Sequence, residues 1–149
     1  MGLIPLKIAF EKATEHAKLP TKGSEEAAGL DLYAAETLYI RPGKTAVVST
    51  GLKMVLPRGY EAQVRPRSGL AARYSVTVLN SPGTIDSDYR GVIGVVLINH
   101  SECVYLVEEG DRIAQMVVQP CITQNISCVE VHSVEDSARG ESGFGSTGR

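Results

Sequence analysis

The sequence predicts an all-β domain, a jelly-roll-like barrel or sandwich with one short helix. Three observations carry that expectation. Short runs repeat apolar residues at every second position, turn residues punctuate them at roughly even intervals, and only 68–74 reads as helix. The 149 residues suit a single domain. A composition of 43% hydrophobic residues without Trp is ordinary for a globular chain. The formal net charge of −2 argues against direct nucleic-acid binding, which needs a basic excess. A small phosphorylated ligand needs only a few local Arg or Lys, so that class stays open.

Taken in order, Ile4, Leu6, Ile8 and Phe10 alternate with polar or small residues, the pattern of a half-buried strand. Residues 11–29 form a long polar loop containing Pro20 and Gly23. In 29–35, Leu30 and Leu32 flank Asp31. Leu38–Ile40, Thr45–Ser49 and Leu52–Leu56 are short strands set off by Pro42-Gly43 and Pro57-Arg58-Gly59. Tyr60, Ala62 and Val64 alternate with Glu61, Gln63 and Arg65 in another. After Pro66, Ser68–Tyr74 is the predicted helix, with Ser68 as its N-cap.

Val76–Leu79 and Val92–Ile98 frame a hairpin whose connection, 80–91, is too long and too charged for a plain turn. Val92–Ile98 is apolar on both faces apart from Gly94, which suits a central strand. Cys103–Val107 and Ile113–Val118 are expected to pair across the Glu108–Asp111 turn, and Ile126–Val131 to form a last strand. The domain is thus expected at 1–132. Residues 133–149, rich in Gly and Ser, form an arm that cannot build a core alone.

No apolar run reaches the length of roughly 20 residues that a bilayer demands, so no membrane association is expected. The start lacks the basic-then-apolar layout of a secretory signal, and Leu6 stands where myristoylation wants Ser or Thr. Cys103, Cys121 and Cys128 are odd in number and read as free thiols. A cytoplasmic address is expected, or a nuclear one in a eukaryote.

Two segments look built for anions. Arg67, Ser68 and Gly69 open the helix, where unpaired N–H groups, a hydroxyl and a guanidinium suit phosphate. The arm offers Arg139, several glycines, Ser146 and Thr147, with Phe144 presenting a flat face for stacking on a base. It does not match GxxxxGK[ST], and no strand–helix context surrounds it. Capped surface helices and frayed termini would account for both segments equally simply. Asp31 and Asp86 are isolated acids that, beside phosphates, suit Mg²⁺ held through water or a base acting on water. His16, His100 and His132 lack zinc spacing, and neither a CxxC nor a GxSxG motif occurs.

Five segments together resemble the ordered motifs of the trimeric dUTP pyrophosphatases: AGLDLYAA (28–35), RPRSGLA (65–71), NSPGTIDSDYRG (80–91), GDRIAQMVV (110–118) and RGESGFGSTG (139–148). The resemblance implies a homotrimer with sites shared between chains and Mg²⁺-dependent hydrolysis of dUTP to dUMP and pyrophosphate. That reaction would limit uracil incorporation into DNA and supply dUMP for thymidylate synthesis. It implies Asp86 as the base that activates water toward the α-phosphate. Asp31 would help to place Mg²⁺ through water, the ion being held mainly by substrate phosphates. Arg67, Ser68, Gly69 and Gln115 match phosphate-contacting positions. Asn80, Gly83, Thr84 and Ile85 match the hairpin that reads uracil, and Tyr89 the ring under the deoxyribose. Arg139, Phe144, Gly145, Ser146 and Thr147 match an arm that closes over substrate, with Phe144 on the base. Departures are confined to Val92, Gly94 and Ser142. Two alternatives stay open at this point: a dCTP deaminase, alone or bifunctional, of the same superfamily, and a non-catalytic nucleotide-responsive binding protein.

Overall fold

The structure is a computed structural model in which residues 5–148 are described. In chain order the strands begin with β1 (Ala9–Lys12), β2 (Thr21–Lys22), β3 (Leu30–Tyr33) and β4 (Leu38–Ile40). They continue with β5 (Thr45–Ser49), β6 (Leu52–Val55) and β7 (Tyr60–Arg65). Helix α1 (Ser68–Tyr74) is followed by β8 (Val76–Val78), β9 (Gly83–Ile85), β10 (Gly94–Asn99), β11 (Tyr105–Val107) and β12 (Arg112–Pro120). The fold is all-β with one short helix, as the alternating pattern predicts.

The largest sheet has the order β2-β3-β12-β7-β9, and a second has β5-β10-β8. Two-stranded pairs β1-β6 and β11-β4 complete the architecture, and every pairing is antiparallel. Alternation decides what each face does. In the five-stranded sheet, Leu32 opposes Ala114, Met116 opposes Val64, and Ala62 opposes Ile85, all buried. In the second sheet, Val95 opposes Val48 and Leu97 opposes Val78. These rows join one core cluster, so the hydrophobic effect clamps the two sheets together.

The opposite face of the five-stranded sheet is polar. Asp31, Gln115 and Arg65 form one row across three strands. One buried polar side chain, Asn99, is fully satisfied: its amide donates to the Ile40 and Cys103 carbonyls, and its oxygen accepts from the Ser101 N–H and hydroxyl. It therefore fastens the β10–β11 connection to the end of β4 without leaving a buried group unpaired.

Several sequence expectations are corrected. Cys103–Val107 and Ile113–Val118 do not form a hairpin: β11 pairs with β4, while β12 inserts between β3 and β7. The central place of β12, paired along both edges and with one face in the core, outweighs the local convenience of the turn. Ile126–Val131 is not a strand, and a 3-10 turn at Thr123–Asn125 precedes it. Among the described residues the first strand is Ala9–Lys12, registered on β6 with Phe10 opposite Met54, and Ile4 lies outside them. Ser68 is the first helical residue and not the cap; Arg67 holds the N-cap position with extended backbone and no side-chain cap hydrogen bond. The long loop 11–29 contains the short β2, which extends the five-stranded sheet beside β3.

The β8–β10 hairpin forms as predicted, with Val76 opposite Asn99. Its long connection departs into the other sheet as β9, where Ile85 pairs with Ala62. That excursion is why the connection exceeds a plain turn. Among the described residues no helix is long and apolar enough to cross a membrane. Cys103, Cys121 and Cys128 are free, as expected.

Candidate functional site

The structure divides the expected site residues into three groups. The first gathers around Asp31, whose side chain is only 17% exposed on β3. Arg67 Nε stands 3.8 Å from one carboxylate oxygen and Arg112 Nη1 stands 3.7 Å from the other. Arg67 also donates to the Arg112 carbonyl at 2.9 Å. Two guanidiniums about one carboxylate leave a local positive excess, suited to a polyphosphate. Ser68 and Gly69 follow on the exposed start of α1.

Gln115 belongs to the same group through sheet register, being directly opposite Asp31. Its amide donates to the Pro66 carbonyl at 3.0 Å, joining β12 to the entry of α1. Gly29 makes room for it, since a Cβ there would lie 2.6 Å from Gln115 Oε1. Beside this group is an open cleft of about 580 Å³ lined by Arg67, Tyr74, Tyr105, Asp111 and Arg112. Burial, then the Asp111 carboxylate and the Tyr74 hydroxyl, push the Tyr105 hydroxyl above its ordinary range, and Arg67 opposes the shift. Tyr105 is thus a neutral wall of that cleft.

Arg112 is a member that the sequence did not reveal. Strict alternation along β12 would place it on the face of Ala114 and Met116, toward the core. A register shift between Arg112 and Ala114 turns it toward Asp31 instead.

The second group lies on the β9 excursion. Gly83 and Ile85 are buried in pairing with β7, while Asn80, Thr84, Asp86 and Tyr89 are exposed. The close approach of Asn80 to Gly83, where a Cβ would lie 3.3 Å from Nδ2, packs the start of the hairpin. Because β9 is the outermost strand of its sheet, its outer backbone edge faces no other strand of the sheet among the described residues. The loop beyond it is fastened by its own polar groups. The Tyr89 N–H donates to the Asp86 carbonyl at 3.1 Å, and Arg90 donates to the Ser87 and Tyr89 carbonyls at 2.8 and 3.0 Å.

Gln124 adds an external clamp that the sequence did not signal. Its amide donates to the Ser87 hydroxyl at 3.2 Å, and its oxygen accepts from the Gly59 N–H at 3.1 Å. A lone Gln in a polar turn carries no periodicity or motif by which to notice it. An open cleft of about 580 Å³ borders Asp86 here, with Arg58, Glu61, Asp88, Arg90 and Cys121 among its walls.

The third group, Arg139, Phe144, Gly145, Ser146 and Thr147, stands apart from both. Residues 133–148 are exposed apart from a half-buried Gly143, and Phe144 is fully so. Their backbone is a succession of turns, with left-handed φ at Gly140, Phe144 and Gly145. Among the described residues, the hydrogen bonds of Arg139–Gly148 stay within the tail, such as Arg139 to the Ser142 carbonyl at 2.8 Å.

The first two groups do not meet within one chain. β3 and β9 are three strand positions apart in the sheet, about 14 Å at 4.8 Å per step. Along the strands, Asp31 shares the row of Arg65, whereas Ile85 shares that of Ala62. Asp86 is therefore displaced from the Arg67–Asp31 pair in both directions of the sheet.

Comparison with known proteins adds an independent line. The family model described as dUTPase matches residues 15–148. The deoxyuridine 5'-triphosphate nucleotidohydrolase of Clostridium tetani is 52% identical over 144 residues, covering 97% of each chain. The protein of the same name from Picosynechococcus is 53% identical over 137 residues, covering 92% of this chain and 95% of its own. The dUTPase of Staphylococcus bacteriophage 80alpha, solved with dUpNHpp, superposes with a TM-score of 0.89 at 27% identity, over 96% of this chain and 99% of that one.

Proposed function

The chain belongs to the dUTPase family and hydrolyses dUTP to dUMP and pyrophosphate; we propose that Asp86 directs the reaction in sites completed between copies of the chain. Placement carries this reading. The phosphate-suited group at Asp31 and the acid at Asp86 sit toward opposite edges of one sheet, too far apart to grip one α-phosphate together. A second copy that sets its β9 loop beside the first copy's Arg67 closes that gap. A closed homotrimer repeats the same contact three times.

Apolar side chains at Ile122, Ile126, Val129, Val131 and Val134 are exposed in the single chain. Exposed apolar side chains gathered in one segment suit packing against a neighbouring copy, which would restore to the assembly the strand expected at 126–131.

Within such a site, Arg67, Ser68, Gly69 and Gln115 bind the phosphates. The free edge of β9, with Asn80, Gly83, Thr84 and Ile85, reads the base. Uracil presents acceptor, donor and acceptor along O4, N3–H and O2, which an open backbone edge matches. Cytosine inverts the pattern at N4 and N3 and leaves groups unpaired, at a cost of about 1–3 kcal/mol each. Tyr89 lies against the sugar where a ribose hydroxyl would need room. Asp86 accepts the proton of the attacking water. The arm, 133–149, brings Arg139, Ser146 and Thr147 to the phosphates and Phe144 over the base, with Gly145 giving the turn its left-handed backbone. Water is thereby excluded.

The donor set fits Mg²⁺ in one manner. Among the described residues no cluster of three His, Cys, Asp or Glu could cage a metal, and Asp31 is already flanked by two arginines. A single carboxylate contacting the ion through water, with substrate phosphates as the main ligands, is the arrangement Mg²⁺ favours. When bound, the ion neutralises charge on the phosphates and favours departure of pyrophosphate. Free thiols and the nucleotide substrate suit a cytoplasmic setting.

Pyrophosphate release measured across dUTP, dTTP, dCTP and UTP, with and without Mg²⁺, tests the assignment. The expected result is Mg²⁺-dependent release from dUTP alone. Ammonia release from dCTP, or nucleotide binding without turnover, would replace it with the deaminase or the binding protein.

A further inference from the structure

We infer that Gly91 is a specificity-determining residue, because its missing side chain is what allows Tyr89 to occupy the sugar-screening position. The inference rests on the reading of Tyr89 as the sugar screen and goes beyond it to what holds the ring. A Cβ at Gly91 would collide with the Tyr89 hydroxyl and lie 2.6 Å from Cζ and 3.0 Å from Cε2. The ring is thus folded back directly over the Gly91 backbone. Its hydroxyl donates to the Val92 carbonyl at 3.1 Å, which fixes the ring at its far end.

The fold's interior does not hold the ring. Tyr89 is 47% exposed and stands outside the core cluster and the side chains packed on it. Its place is therefore set locally, by the floor at Gly91 and the anchor at Val92. Nor is Gly91 required for backbone reasons, since its φ is not in the left-handed region. The three nearest atoms that an alanine Cβ would meet all belong to the Tyr89 ring and its hydroxyl.

The consequence separates specificity from stability. In a Gly91→Ala chain the methyl group occupies the space of the ring, and the ring, being exposed, is what moves. The hydroxyl then leaves Val92, and the wall that denies room to a 2′-hydroxyl is displaced. The core is untouched.

The experiment measures kcat/KM for dUTP and for UTP in wild type, Gly91→Ala, Tyr89→Phe, Tyr89→Ala and the double Gly91→Ala/Tyr89→Ala chain, with thermal unfolding of each. The dUTP/UTP ratio is expected to fall by about tenfold or more in Gly91→Ala, with a smaller loss in Tyr89→Phe, which keeps the ring and removes its anchor. Thermal midpoints are expected to stay near wild type. In the Tyr89→Ala background, Gly91→Ala should change the ratio no further, as required if it acts through the ring. An unchanged ratio in Gly91→Ala alongside a lowered one in Tyr89→Ala overturns the role of Gly91 and leaves the sugar screen standing. An equal loss with and without the tyrosine ring overturns it as well. An unchanged ratio in Tyr89→Ala overturns both. Should Gly91→Ala fail to fold, an unchanged ratio in Tyr89→Phe overturns the anchoring and a lowered one supports it.

Discussion

Replacing Asp86 by Asn is expected to lower kcat on dUTP by roughly 10²–10⁴, the contribution of a positioned general base, while KM changes little. The amide has nearly the shape of the carboxylate but cannot accept the water proton. Asp86 is exposed on the β9 loop, where it supports no core packing, so the variant should fold like the parent. The backbone around it is held by Tyr89, Arg90 and Gln124, and none of these bonds uses its carboxylate. A loss in kcat is therefore assignable to chemistry and not to a collapsed loop. Retention of nearly full kcat would remove Asp86 from the role of base.

Truncation after Ala138 is expected to reduce turnover by at least roughly 10², because Arg139 and Phe144 no longer position substrate and exclude water. The thermal midpoint should not move. Residues 139–148 lie almost entirely on the surface, and among the described residues they bond only to one another and to the exposed Ser137, so the core loses no buried partner. Turnover and unfolding measured on the same preparation give the two halves of the result. Full activity in the shortened chain would show the arm to be inert.

Much of the fold is legible because it is written in period two. Tyr60–Arg65 forms the strand its alternation predicts, and Ser68–Tyr74 forms the helix. Val76–Val78 also meets Gly94–Asn99 as the hairpin requires. Pairing partners are less legible. Strands β11 and β12 adjoin through a turn that invites a hairpin, yet β12 is the strand whose buried face fits between β3 and β7. That choice depends on residues far away in the chain. Ile126–Val131 fails as a strand for a related reason: its β-branched residues suit a strand, but pairing requires an edge that the single chain does not bring to it.

At the site, residue types were legible and groupings were not. Asp31, Arg67 and Gln115 are far apart in sequence and meet because β3 and β12 are in register and α1 begins beside them. Arg112 was hidden by the bulge, which breaks the alternation by which its face would be judged. Gly91 looks like an ordinary turn glycine until the Tyr89 ring is seen lying over it. The separation of Asp86 from Asp31 is likewise a property of strand order, which no local pattern encodes.

That separation makes a site between copies the central claim, and mixing two inactive chains tests it most directly. Asp86→Asn and Arg67→Ala chains, each alone nearly inactive, are unfolded together, refolded as a mixture and assayed for pyrophosphate release from dUTP. If one copy supplies Asp86 and another Arg67, random closed trimers should regain activity at about a quarter of their sites. If both residues act from the same chain, the refolded mixture stays as inactive as its parts, and the shared site is contradicted.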